Sequence, residues 1–467
     1  MRWSLLTFSL SLGLPAAAQQ VGDLQEEIHP RLQWRRCTLE EGCEAVDGEL
    51  TLDANYRWIR RVDNYSDCYT GNMWNKQGCN STEDCTNNCA LEGAAYPEVY
   101  GILTPAKDSV SLRFRTNHNF AHNIGSRIFL MESRTRYQTF TLRDHELAFD
   151  VDLSTVACGI NSALYLVPMD PDGGMARYPD TNSAGAEYGT GYCDATCPRW
   201  VKFLGGRANF EGWTPSETDE FNGEGDYGVC CPQFSVWNGN AHSFEMSTHT
   251  CPYEMLEKPI YLCYQNECDY NYISPDERGN SACDLNGCSY NPYRMGAHDF
   301  YGEGKTVDTA RKFTVVTQWT EDRVTQFLIQ DGHKFDVPAP VWEGMPPEAG
   351  LSQDMCYVQR TVFEERDGMG ENGGWATHIS QVLDQPMVLV LSIGADHKRW
   401  NLWLDSKYPP YDPEKIGMYR GDCFPIEDND PQVLKNAHPD STVVWSNIRY
   451  GPIGSTVKVR YPRNLVK

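Results

Sequence analysis

Three polar side chains interrupt an otherwise apolar and cysteine-flanked run, Cys230-Cys-Pro-Gln-Phe-Ser-Val-Trp-Asn-Gly-Asn-Ala241. They are Gln233, Ser235 and Asn238. In a regular strand, positions two apart share a face, so Gln233 and Ser235 point the same way. Asn238 stands at an odd offset and needs a bulge or bend to join them. None of the three ionises. Two amides and a hydroxyl can hold a ligand by hydrogen bonds, but they supply neither an anionic nucleophile nor a carboxyl proton to donate and recover. The nearest carboxyls in the chain are Glu224, Asp226 and Glu245. Asn238-Gly239 is also a dipeptide prone to deamidation, which would place an Asp or isoAsp at the third position.

The cysteines around this run define its chemical compartment. The chain has 18 of them, an even number. Cys230 and Cys231 are neighbours, which rarely bridge each other, so they are expected to reach two different partners, with Cys193 and Cys197 the natural complement. A zinc site is the alternative for such clusters. The N-terminus favours disulfides: Arg2, the apolar stretch from Leu5 to Leu14 and Ala16-Ala17-Ala18 read as a secretory signal peptide over residues 1–18. No later segment is apolar for long enough to span a bilayer. Asn64-Tyr-Ser66 and Asn80-Ser-Thr82 are glycosylation sequons. A net charge of −24 and a pI of about 4.8 argue against nucleic acid, whose phosphates need a basic surface. They suit an uncharged partner such as a neutral polysaccharide.

Strand signals run from end to end and must position the polar trio. Leu147, Phe149, Val151 and Leu153 alternate with Ala148, Asp150 and Asp152; Val110, Leu112 and Phe114 alternate with Ser111 and Arg113. Asp331-Gly332 between two apolar runs predicts a hairpin, and residues 441–451 a further strand. Helical periodicity is short and scattered. With 39 Gly, 27 Pro and no linker or repeat, the expectation is one large antiparallel sandwich with long stapled loops. Trp and Tyr number 13 and 25, enough for a core and a sugar-stacking platform besides.

Longer motifs carry a family resemblance. LDANYRWI (52–59), FDVDLSTVACGINSALYLVPMDPDGG (149–174), AEYGTGYCDATCPR (186–199), CDLNGCSYNPYRMG (283–296), LWLDSKYP (402–409) and SNIRYGPIGST (446–456) resemble the fungal family 7 glycoside hydrolases, cellobiohydrolases and endo-β-1,4-glucanases. The resemblance implies an all-β, concanavalin A-like jelly-roll sandwich over residues 19–456, with disulfide-stapled loops forming a cleft or tunnel for one cellulose chain. Residues 457–467 would be a short basic tail, with no linker or cellulose-binding module. The segments 213–229, 264–282 and 357–377 are long, like loops that cover the tunnel in the cellobiohydrolases.

That family hydrolyses with a Glu-x-Asp-x-x-Glu pattern: nucleophile, assisting Asp and acid/base, the two glutamates roughly 5–5.5 Å apart. The matching positions here are Gln233, Ser235 and Asn238, so all three carboxylates are replaced. His249 matches an active-site histidine, with a structural histidine as the alternative. The resemblance implies substrate contacts from Tyr56, Trp58, Asn161, Tyr165, Arg294, Trp403 and Arg420; for the two arginines a buried ion pair is an equal reading. Gly394 replaces a stacking tryptophan, for which Trp400 could compensate if its loop bends inward. The implied disulfides are Cys37–Cys43, Cys68–Cys89, Cys79–Cys85, Cys158–Cys423, Cys193–Cys231, Cys197–Cys230, Cys251–Cys283, Cys263–Cys268 and Cys288–Cys356, with glycosylation at Asn64 and Asn80. Neither a metal nor a cofactor is expected. The leading reading is a secreted, monomeric protein that binds cello-oligosaccharide or cellulose without cutting it. Its alternatives are a glucanase using Glu224, Asp226 or Glu245, and an extracellular structural protein with a vestigial groove.

Overall fold

The alternating strands assemble into two sheets packed face to face. The computed structural model describes residues 19–119, 121–252, 260–268, 283–410, 415–425 and 428–458. The first sheet runs, in spatial order, Gly42–Leu52, Ser126–Ser133, Met387–Gly394, Asn161–Val167, Gln233–Gly239, Phe244–His249 and Cys288–Tyr290, every neighbouring pair antiparallel. The second runs Ile102–Ala106, Ser109–Arg113, Thr442–Pro452, His145–Asp152, Phe313–Trp319, Arg323–Gln330 and His333–Asp336, also antiparallel. Arg31–Thr38 joins the two at one edge, antiparallel to Gly42–Leu52 and parallel to Thr442–Pro452. That short parallel pairing departs from the all-antiparallel expectation.

The core lies between the sheets. Leu164, Leu166, Phe234, Val236, Trp237 and Leu391 of the first meet Val110, Leu112, Phe149, Val315 and Trp445 of the second, all at most 1 % exposed. Period-two alternation decides which face each residue takes. The half-buried reading of His145–Asp152 needs one correction: Ala148 is buried too, beneath Val316 and Phe327 on the outer side of its sheet. Asp331 and Gly332 turn the expected hairpin with φ of 53° and 79°, the left-handed pair that matches strand twist.

Nine disulfides staple the loops, Cys37–Cys43, Cys68–Cys89, Cys79–Cys85, Cys158–Cys423, Cys193–Cys231, Cys197–Cys230, Cys251–Cys283, Cys263–Cys268 and Cys288–Cys356. Cys230 and Cys231 thus anchor the start of the polar strand to two separate points. The 357–377 stretch is not a loop. It holds the end of helix Gln353–Val362, capped by Ser352 on the Met355 N–H, and two short helices, Gly368–Glu371 and Gly374–His378. Serine at the cap and aspartate at Asp367 satisfy the free N–H groups that start these turns. Residues 1–18, 269–282 and 459–467 lie outside the described residues, and with them the signal segment, most of the 264–282 loop and most of the basic tail. No helix among the described residues is long and apolar enough to cross a membrane.

Candidate functional site

The strand Gln233–Gly239 carries a β-bulge where the spacing demanded one. Ser235 pairs with Ser247 and Asn238 with Glu245, so Val236 and Trp237 together face the single residue Met246. Both bulged side chains enter the core. Asn238 thereby joins Gln233 and Ser235 on the opposite face, where all three line a cleft of about 1860 Å³.

Their side chains are tied by hydrogen bonds between neutral groups. Gln233 Nε2 donates to Ser235 Oγ at 2.9 Å, and its Oε1 accepts from the Ala195 N–H at 3.4 Å. Asn161 Nδ2 donates to Asn238 Oδ1 at 3.1 Å. His249, opposite Gln233 in the register, has Nδ1 2.9 Å from the Asp284 carbonyl oxygen and Nε2 2.9 Å from Ser247 Oγ. A carbonyl only accepts, so Nδ1 carries the proton and Nε2 accepts from the serine. Burial pushes the His249 pKa down, which favours the neutral ring.

The other expected residues are distributed along the same cleft. Tyr56, Trp58, Asn161, Tyr165, Arg294, Trp403 and Arg420 all line it. Trp58 is 41 % exposed and its Nε1 donates to Asp67 Oδ1 at 2.6 Å. Tyr165 is buried, its hydroxyl 2.8 Å from that of Tyr192. Arg294 and Arg420 line the cleft and are also ion-paired to Glu365, so the ion-pair reading holds without removing them from the cleft. Gly394 leaves a gap, since an added Cβ would meet nothing within 4 Å. Trp400 is not among the lining residues: its N–H bonds the Asp396 carbonyl at 2.8 Å in a tight turn with φ of 55°, and the loop does not bring the ring in. Asn64 and Asn80 are exposed.

Several lining residues were not anticipated. Trp200 stacks on Tyr192 at 5.8 Å, with the Arg127 guanidinium over both rings. Asp194 lines the cleft with its oxygens committed to Tyr192 and Thr196. Of the three spare carboxyls, Glu224 lines the cleft paired to Lys398, whereas Asp226 accepts from Gln265. Glu245 lies in one row across the sheet with Arg127, Ser392, Ala163 and Asn238. Burial pushes its pKa up to about 7, against the pull of Arg420 and Arg294.

The 213–229 segment contributes Thr218, Asp219 and Phe221 to the cleft lining. His397 Nδ1 donates to the Thr218 carbonyl at 2.8 Å, and Glu220 pairs with Lys435 and His122. Thr218, His397 and His122 all line the cavity, so these contacts tie the segment to other parts of its wall.

The two-sheet sandwich thus carries an aromatic-lined cleft across one sheet. The chain belongs to glycosyl hydrolase family 7, whose model matches residues 21–457. Its fold is that of a cellobiohydrolase from Melanocarpus albomyces complexed with cellotetraose, with 47 % identity, TM-score 0.88, and 94 % of this chain covering 100 % of that one. A family 7 cellobiohydrolase from Daphnia pulex gives 36 % and 0.89, and the endocellulase EGI of Humicola insolens 30 % and 0.76, each with 94 % and 100 % coverage. The sandwich is therefore the β-jelly roll of the cellulases.

Proposed function

We propose that this protein is secreted, acts as a monomer, and binds β-1,4-glucan chains in its cleft without cutting them by the family's two-carboxylate route. One observation carries the reading. The three positions that should hold nucleophile, assistant and acid/base hold Gln233, Ser235 and Asn238, locked to neutral partners. An amide cannot attack as an anion or cycle a proton, and the two carboxyl roles fail together when either is lost. Aromatic faces at Tyr56, Trp58, Trp200 and Trp403 line the cleft, and a relative has been captured with cellotetraose; both support binding. Nine disulfides and the leader-like residues 1–18 support export.

A second reading has one observation in its favour. Glu245 sits one strand beyond Asn238 in the same row, as a buried and readily protonated carboxyl, and could serve as an acid. It lacks a partner nucleophile at Gln233. The test sets the natural chain beside the variant Gln233→Glu, Ser235→Asp, Asn238→Glu on cellohexaose. No sugar release from the first and measurable release from the second is expected. Turnover by the natural chain that Glu245→Gln abolishes would establish the second reading instead.

A further inference from the structure

Beyond Glu245 the described residues of the cleft carry more positive than negative charge. Arg294, Arg360, Lys415 and Arg420 line this end, against the carboxyls of Glu245 and Glu365; Arg366, also there, is paired with Glu371. Glu365 alone serves three guanidiniums. Arg294 bonds its Oε1, Arg360 Nη1 its Oε2 at 2.9 Å, and Arg420 Nη2 its Oε1 at 3.3 Å. Those arginines are at most 5 % exposed. One carboxylate cannot satisfy them: among the described residues, Arg360 Nε and Nη2 and Arg420 Nε meet no hydrogen-bond acceptor. Buried cationic donors without acceptors are costly, and an anion is what relieves them. Glu245 does not fill the deficit, because burial holds it neutral up to about 7. The crowding shows in Arg294, pushed down to about 9 by burial and by Arg420 and Arg360.

We propose that this end of the cleft binds a sugar carboxylate: a β-1,4-glucan chain carrying an aldonate or uronate group, with the carboxylate taken by the guanidiniums of Arg360 and Arg420. The inference rests on the glucan-binding reading of the cleft and narrows its ligand class. A planar guanidinium matches a carboxylate in charge and in paired N–H geometry. A neutral sugar hydroxyl offers an acceptor but leaves the charge excess in place.

The experiment is calorimetry with cellotrionate and cellotriitol, which share an open-chain end and differ only in carboxylate against hydroxymethyl. A β-1,4-linked triglucuronate separates uronate from aldonate. Sulfate and gluconate report an anion site that ignores the chain. Cellotrionate or the triglucuronate is expected to bind at least about tenfold more tightly than the alditol. That advantage should shrink several-fold between about 0.02 M and about 0.3 M salt and disappear in Arg360→Gln. If Arg360→Gln does not fold, the acid-to-alditol ratio and its salt dependence in the natural chain decide. Equal affinity for acids and alditol overturns the inference and leaves glucan binding intact. Sulfate binding as tightly as cellotrionate also overturns it, in favour of an inorganic-anion site. Failure of every sugar, cellohexaose included, removes both readings.

Discussion

Asn161 holds Asn238 from two directions. Its Nδ2 donates to Asn238 Oδ1 at 3.1 Å, and its Oδ1 accepts the backbone N–H of Gly239 at 3.0 Å. Deamidation of an Asn-Gly pair requires that following backbone nitrogen to attack the side-chain amide. Here the nitrogen is bonded elsewhere, inside a strand, and Asn238 is 6 % exposed. Asn238 should therefore stay an amide. Peptide mapping after a week at 37 °C and neutral pH should show it intact while a flexible Asn-Gly peptide control converts. Conversion at the control's rate would contradict the packing described.

Glu245 should leave a signature in stability against pH. Its pKa rises from 4.5 to about 7 on folding, so between these values the unfolded chain has released a proton that the folded chain keeps. Stability then falls as pH rises through that window, by about 3 kcal/mol from this group. Asp405, buried and raised from 3.8 to about 6, acts with the same sign. Glu365 acts oppositely: burial disfavours its ionised form, but Arg294, Arg420 and Arg360 hold it at about 2, so its contribution is lost only as pH falls below 4.5. Thermal midpoints measured from pH 4.5 to 7 should decline less in Glu245→Gln than in the natural chain. Identical slopes would show that Glu245 titrates normally.

The stacking surface can be altered in both directions. Trp403→Ala and Trp200→Ala should each weaken cellohexaose binding by about five- to tenfold, the loss of one aromatic contact. Gly394→Trp should strengthen it, because the site is open and its backbone is not left-handed. Calorimetric titration of the three variants checks this. Unchanged affinity in Trp200→Ala would remove that ring from the platform.

What the sequence made legible follows strand geometry. The polar trio could be read because the cysteine pair and Trp237 hold its register, and because an odd offset on one face forces a bulge. The lateral neighbours could not. Glu245 lies seven residues from Asn238 along the chain, yet the bulge and hairpin register set them side by side. Arg360 and Glu365 come from a stretch expected to cover the cleft as a loop; Arg360 lies instead in the helix Gln353–Val362 and Glu365 in the connection that follows it, so the sequence marked the stretch but not these two side chains. Trp200 was hidden for a similar reason, since only its stack on Tyr192 and Arg127 places it at the wall. Trp400 shows the reverse error, a promising aromatic kept from the lining by a tight turn at Asp396.

The most direct test of the central claim is a long incubation of purified, mass-verified protein with cellohexaose, with released sugars quantified beside a calorimetric titration of the same ligand. The account predicts saturable binding in the micromolar range and no sugar release above a protein-free control. Sustained release that follows the protein through purification would contradict it.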